Sequence, residues 1–160
     1  MKNWVNKINS YILILLFGTV SLAEEKHNLP RFVSIKSSEA NARKGPGSQY
    51  PIVHIYNCKW LPVEIISEYD QWRHVRDIDG DEVWIHSSIL SNKRTVMVTG
   101  KEPQILYKDN NLKSGIKAKL MPHLVCFLNK CVKSWCKIKC SDYTGWASRS
   151  VLWGIYDYEE

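Results

Sequence analysis

The sequence predicts an all-β protein built as two small barrels in tandem behind an export leader. Three observations predict it. A Trp-hairpin-Trp-Leu pattern occurs twice, as Trp72, Val75, Trp84 and Leu90 and again as Trp135, Ile138, Trp146 and Leu152. The copies are offset by 63 residues at their first two positions and 62 at their last two, so one deletion in the intervening turn relates them. Repetition at such a period marks one structural unit used twice. Short β-branched and aromatic runs separated by turn formers fill both copies, and no segment has helical periodicity of useful length.

Residues 1–23 read as a signal peptide. Lys2 and Lys7 give a positive start, residues 11–20 form a short apolar run, and Ser21-Leu22-Ala23 offers small residues for cleavage. The run is short of the roughly 20 apolar residues that span a bilayer, with an uncleaved anchor as the rival reading. No Cys follows it to carry a lipid. Cleavage after Ala23 leaves 137 residues and lowers the formal charge from +6 to +4 by removing Lys2 and Lys7. Spread over both halves, that charge is a mild bias toward anionic partners and serves solubility. No dense Arg/Lys stripe points to nucleic acid. The expected product is exported to the periplasm or cell envelope, with no membrane span in the mature chain.

The first barrel is expected over residues 31–94. Residues 31–35 read as a strand, and residues 37–51 as a loop rich in turn formers, Asn41-Ala42-Arg43-Lys44-Gly45-Pro46-Gly47 among them. Residues 52–56 and 61–69 follow as strands, and 71–78 and 82–85 flank the hairpin signal Asp79-Gly80. Residues 87–90 close the unit with one helical turn. After a polar joint at 91–94, the second barrel occupies 95–156. Its strands are 95–98, 116–120, 124–131, 135–140 and 145–147, with a polar loop at 108–114. Trp153-Gly154-Ile155-Tyr156 is expected to cap it.

The first copy resembles the bacterial SH3-like (SH3b-type) domains on three features: the Asn41-Ala42-Arg43-Lys44-Gly45-Pro46-Gly47 run, the hydrophobic strand Leu61-Pro62-Val63-Glu64-Ile65-Ile66, and the Trp72-hairpin-Trp84 ending. The second is similar to the companion domain of a two-domain family of exported, mainly proteobacterial proteins. Two departures stand out. The residue before the second Trp, usually Gly in that family, is Val83 in the first copy and Gly145 in the second, and the second copy lacks any Arg-x-Gly-Pro run. In the loop itself, Pro46 fixes φ, Gly45 and Gly47 allow a reversal, and Asn41 and Arg43 are assigned to shaping it, Arg43 by bracing carbonyls.

Cys126, Cys131, Cys136 and Cys140 crowd the second unit, and clustered cysteines in an exported chain favour disulfides. If the strand ending at Cys131 pairs antiparallel with the one starting at Trp135, opposed residues share an index sum. That sum is 267 for Cys131 with Cys136 and 266 for Cys126 with Cys140, so both pairs can face each other if a one-residue bulge intervenes. Cys131–Cys136 is favoured, and the resemblance implies a cysteine pair there; Cys126–Cys140 is the weaker candidate. The competing metal site lacks a C-x₂-C knuckle, and no metal or other cofactor is expected. Cys58 is left odd. As a nucleophile it would need His74 or His86 as base, a distant prospect. Asp77-Ile78-Asp79-Gly80-Asp81 could suggest calcium, but Ser88 stands where an EF-hand needs an acid, so the turn reading is preferred. His27, His54 and His123 form no ligand-spaced cluster.

Tyr50, Tyr56, Trp60, Tyr69, Trp72 and Trp84 all fall in the first unit. Some must fill its core, Trp72 and Trp84 being the obvious candidates; the expected ligand groove draws on Tyr50, Tyr56, Trp60, Trp72 and Trp84. The resemblance implies a non-catalytic binding module for peptidoglycan peptides or an envelope protein, without nucleic acid. The alternative is a structural or oligomerising envelope protein with no small ligand.

Overall fold

The computed structural model describes residues 28–159. The expected leader, residues 1–23, and His27 lie outside the described residues. The fold is all-β, with two seven-stranded antiparallel sheets and two single turns of 3₁₀ helix. The first sheet comprises β1 (Arg31–Ile35), β2 (Ala40–Arg43), β3 (Ile52–Tyr56), β4 (Pro62–Tyr69), β5 (Trp72–Arg76), β6 (Glu82–His86) and β7 (Leu90–Ser91) in the order β3-β2-β6-β5-β4-β1-β7. The second comprises β8 (Thr95–Val98), β9 (Gln104–Tyr107), β10 (Ile116–Leu120), β11 (Val125–Val132), β12 (Trp135–Cys140), β13 (Tyr143–Ser148) and β14 (Leu152–Trp153), in the corresponding order β10-β9-β13-β12-β11-β8-β14. The repeat seen in the tryptophans is therefore a repeat of the whole topology.

Each core is built by alternation. Val33, Ile35, Val63, Ile65, Val75, Val83 and Ile85 point into the first barrel, and Val96, Val98, Leu106, Cys126, Cys136, Ile138 and Leu152 into the second. Both long hairpins carry a register shift at the same place, between Ile65 and Ser67 in β4 and between Leu128 and Lys130 in β11. The extra residue bends the long strand so that it serves two neighbours in a small barrel.

Residues 40–43 form strand β2 rather than part of a loop. Ala40 and Ala42 are fully buried while Asn41 and Arg43 point out, a period of two written in residues of weak β propensity. Strand β9, equally short, was likewise not anticipated.

The barrels are joined by a packed seam. Phe32 of β1 meets the rings of Trp153 at 5.1 Å and Tyr156 at 4.8 Å, and the Tyr156 hydroxyl donates to Glu64 at 2.7 Å. The segment expected to cap the second barrel thus also clasps the first. Gly154 permits this: at φ +107 its Cα lies where a Cβ would stand 2.9 Å from the Thr95 carbonyl and 3.2 Å from Pro62.

Candidate functional site

On the outer face of the first barrel, β5 and β6 pair Trp72 with His86, His74 with Trp84 and Arg76 with Glu82. The period of two that buries Val75, Val83 and Ile85 leaves these six outside. His74 stacks on Trp84 with ring centres 4.7 Å apart and planes 10° from parallel; Trp72 meets His86 edge-on at 5.3 Å. Arg76 is held by Glu82 at 2.8 Å and Glu64 at 3.3 Å. Trp72 and Trp84 are thus half-buried on this face rather than core residues, because the barrel interior is filled by Val, Ile and Ala.

Arg43 faces Trp84 across β2 and β6, which sets the Gly-Pro-Gly loop beside the aromatic ladder. Its Nη1 donates to the Tyr50 carbonyl at 2.7 Å, and the Tyr50 ring lies so close over Gly45 that a Cβ there would meet it at 2.6 Å. Asn41 is exposed on the same strand. The loop is thus braced by Arg43, with Tyr50 as its exposed rim.

Two expected groove residues lie elsewhere. Tyr56 is buried, and its hydroxyl donates to Asp77 at 2.8 Å. The other Asp77 oxygen accepts the Asp79 and Asp81 amides at 3.0 Å each, so the carboxylate ties down its own hairpin and Tyr56 braces it. Burial, then the bond to Asp77, push the Tyr56 phenol well above its ordinary range. Trp60, at φ +68, belongs to the seam: its ring is 5.6 Å from Phe127, and its carbonyl accepts from Thr95 at 2.8 Å. Tyr50, Tyr56, Trp60, Trp72 and Trp84 therefore do not line one groove. Trp72 and Trp84 share a face with His74, His86 and Arg43, a grouping that the strand period and hairpin register could have yielded.

A cavity of about 230 Å³ opens at the end of the first barrel between Arg31, Arg73 and Ser91. Glu68 accepts from Arg31 at 3.0 Å and from Arg73 at 3.2 Å beside it, so these arginines are engaged in closing the barrel. At the seam, His54 and His123 border a cleft of about 180 Å³ with Asp77 and Asp79. Among the described residues, no three His, Cys, Asp or Glu side chains are grouped to hold a metal ion.

In the second barrel Cys131 bonds Cys136 and Cys126 bonds Cys140, and the bulge between Leu128 and Lys130 lets both pairs oppose. Cys58 is an exposed free thiol whose pKa burial pushes up, so it is a weak nucleophile at neutral pH.

The outer face of this barrel differs from that of the first. Register connects Ile116, Tyr107, Trp146, Lys137 and Lys130 in one row across five strands. Lys139 and Lys119 lie on the same face, Lys117 reaches the Thr144 carbonyl at 2.6 Å, and Lys130 sits 6.0 Å from the centre of the Trp146 ring. Beside this face, Leu112, Lys113, Ser134, Trp135 and Ser148 line an open cleft of about 510 Å³. The positive charge is not spread over both halves: residues 95–156 hold ten Lys/Arg against three Asp/Glu, while residues 31–94 hold nine against eight. Counting the halves separately would have revealed it.

Residues 36–92 and 100–154 each match the family described as Bacterial SH3 domain. No curated protein sequence matches the chain. Among solved structures, NlpC2 from Trichomonas vaginalis aligns at 13% identity and a TM-score of 0.38 over 84% of this chain and 51% of that one. NlpC1 from the same organism aligns at 13% and 0.36 over 81% and 48%. The chain spans about half the length of either.

Proposed function

We propose that this chain, which belongs to the bacterial SH3 domain family in both its halves, is an exported, non-catalytic binding module for peptidoglycan peptides or an envelope protein. The observation that carries the reading is the outer face of the first barrel. There the half-exposed Trp72, His74, Trp84 and His86 form a continuous aromatic surface beside a loop braced by Arg43. An extended peptide laid across it would gain ring contacts from the ladder and hydrogen bonds from the imidazoles and from Asn41. Family membership makes binding the natural role, and two disulfides suit an oxidising compartment.

Retention on purified sacculi tests it. Wild-type protein is expected to be retained, with Trp72→Ala and His74→Ala each weakening retention by roughly tenfold. His74→Ala removes a half-exposed ring and leaves the core intact. Equal retention of all three proteins at matched fold, seen by circular dichroism, would remove the reading.

The exposed Cys58 supports a second reading, a structural protein that oligomerises. A dimer on non-reducing electrophoresis that disappears in Cys58→Ser would favour it.

A further inference from the structure

The concentration of charge on the second barrel has no role in the reading above. Its outer face presents Lys117, Lys119, Lys130, Lys137 and Lys139, and among the described residues none of them is in an ion pair. The first barrel shows that the fold does not require this. Where Lys139 faces Thr144, the equivalent Arg76 faces Glu82 and is held by Glu64 as well; where Lys137 and Lys130 lie opposed, the equivalents are His74 and Ser67. Two lysines directly opposed on neighbouring strands repel. The Trp146 ring near Lys130 offsets part of that, and an anionic ligand would neutralise the rest.

Aromatic rings specify the ligand further. Tyr107 and Trp146 occupy the same row as Lys137 and Lys130, and both are half-buried. Such a platform suits flat rings with apolar C–H faces. Ile116 stands exposed at the end of the row, so a vesicle probe distinguishes a bilayer from a sugar polymer. From Tyr107 to Lys130 the row crosses three strand spacings, about 14 Å at ~4.8 Å each, the length of a short oligosaccharide. The cations are lysines, mobile point charges on long stems, which fit anionic groups spaced along a polymer better than one forked carboxylate.

We infer that the outer face of the second barrel, centred on Trp146, Lys130, Lys137 and Lys139, is a docking surface for a linear anionic polysaccharide. It is separate from the peptide face of the first barrel and does not depend on it. Sugar rings lie along Tyr107 and Trp146, and their carboxylates reach the flanking lysines. Complementary charge supplies attraction at a distance and makes binding salt-sensitive.

The test uses the whole two-barrel protein and immobilised polygalacturonate, with neutral dextran, inorganic polyphosphate and phosphatidylglycerol vesicles as further probes. The expected result is binding to polygalacturonate that fades with added salt, and none to dextran. The triple variant K130Q/K137Q/K139Q should bind roughly tenfold more weakly or worse. The triple variant K36Q/K44Q/K59Q, of the same net charge but altered on exposed positions of the first barrel, should bind as wild type. Trp146→Leu should weaken polygalacturonate binding and leave polyphosphate binding unchanged, while Trp72→Ala should affect neither.

Equal loss in both triple variants would overturn the proposal, since the charge would then act without a site. Binding to vesicles with no binding to polygalacturonate would overturn it in favour of a lipid surface. Polygalacturonate binding indifferent to Trp146 would overturn it in favour of an unspecific polyanion contact.

Discussion

The two barrels share a strand order, a bulge and a pair of tryptophans, yet they hold equivalent positions with different chemistry. Where β4 and β5 oppose Glu68 to Arg73, β11 and β12 oppose Cys131 to Cys136. Where Tyr56 and Asp77 meet through a buried hydrogen bond, the second barrel has Leu120 and the Cys126–Cys140 disulfide. Core volume is traded as well: Ala42 sits beside Val83 in the first barrel, and Leu106 beside Gly145 in the second. On the outer faces, a neutralised ladder of tryptophan and histidine contrasts with lysines that make no ion pair among the described residues. The topology requires only the alternation; how each barrel is braced, and what its outside offers, is free to diverge.

The comparison makes its largest prediction at the disulfides. If the first barrel is held by side-chain bonding and the second by covalent links, removing Cys126–Cys140 should harm only one of them. Its 14-residue separation implies a loss of about 3 kcal/mol for the paired change of Cys126 and Cys140 to Ala. Amide hydrogen exchange should locate the loss in β8–β14 while β1–β7 keep their protection, apart from the seam. A uniform loss over both barrels would show that they unfold as one unit and that the contrast has no energetic meaning.

The traded volumes give the next effect. A Cβ on Gly145 would stand 2.5 Å from the Tyr107 carbonyl and 2.8 Å from Leu106. Gly145→Val, which installs the residue found at the first barrel's equivalent position, should therefore cost about 1–3 kcal/mol through overpacking. Adding Leu106→Ala, the first barrel's other half of the trade, should recover part of that loss. A double-mutant cycle of chemical denaturation measures the coupling; strict additivity would mean that the two sites are not exchanging volume.

How much of this was legible in the sequence differs between fold and site. The duplicated tryptophans, the hairpin signal at Asp79-Gly80 and the cysteine index sums are local or register facts, and they transfer directly to β5–β6 and β11–β12. Strands β2 and β9 were hidden because four-residue strands such as Ala40–Arg43 carry little intrinsic preference and are fixed by pairing partners distant in the chain. Trp60 reads like any surface aromatic until the seam is known, since only the docking of Phe127 and Thr95 against it reveals its place. Tyr56 is deceptive for a similar reason: its partner, Asp77, lies in a hairpin that already explains itself as a turn. The charge contrast was fully present in the sequence and was masked by summing over both halves.

Tyr56 also gives the comparison a pH dependence. Its hydroxyl donates to a buried carboxylate in the first barrel, whereas Leu120 at the equivalent place in the second has no ionisable group. Because the folded pKa is raised, the folded chain keeps a proton that the unfolded chain releases near the ordinary value of 10.0. The contribution to stability is therefore complete below about pH 10 and declines as pH rises above it. In a Cys58→Ser background, which removes thiol exchange, denaturation from pH 7 to 11 should show stability falling at the alkaline end. Tyr56→Phe should lower stability by about 1–2 kcal/mol at pH 7, through an Asp77 oxygen left without its donor. It should also flatten the alkaline decline, so the two curves converge at high pH. Parallel curves would place the alkaline sensitivity elsewhere, with Tyr156 the next group to change because its phenol is likewise raised by burial and by its bond to Glu64.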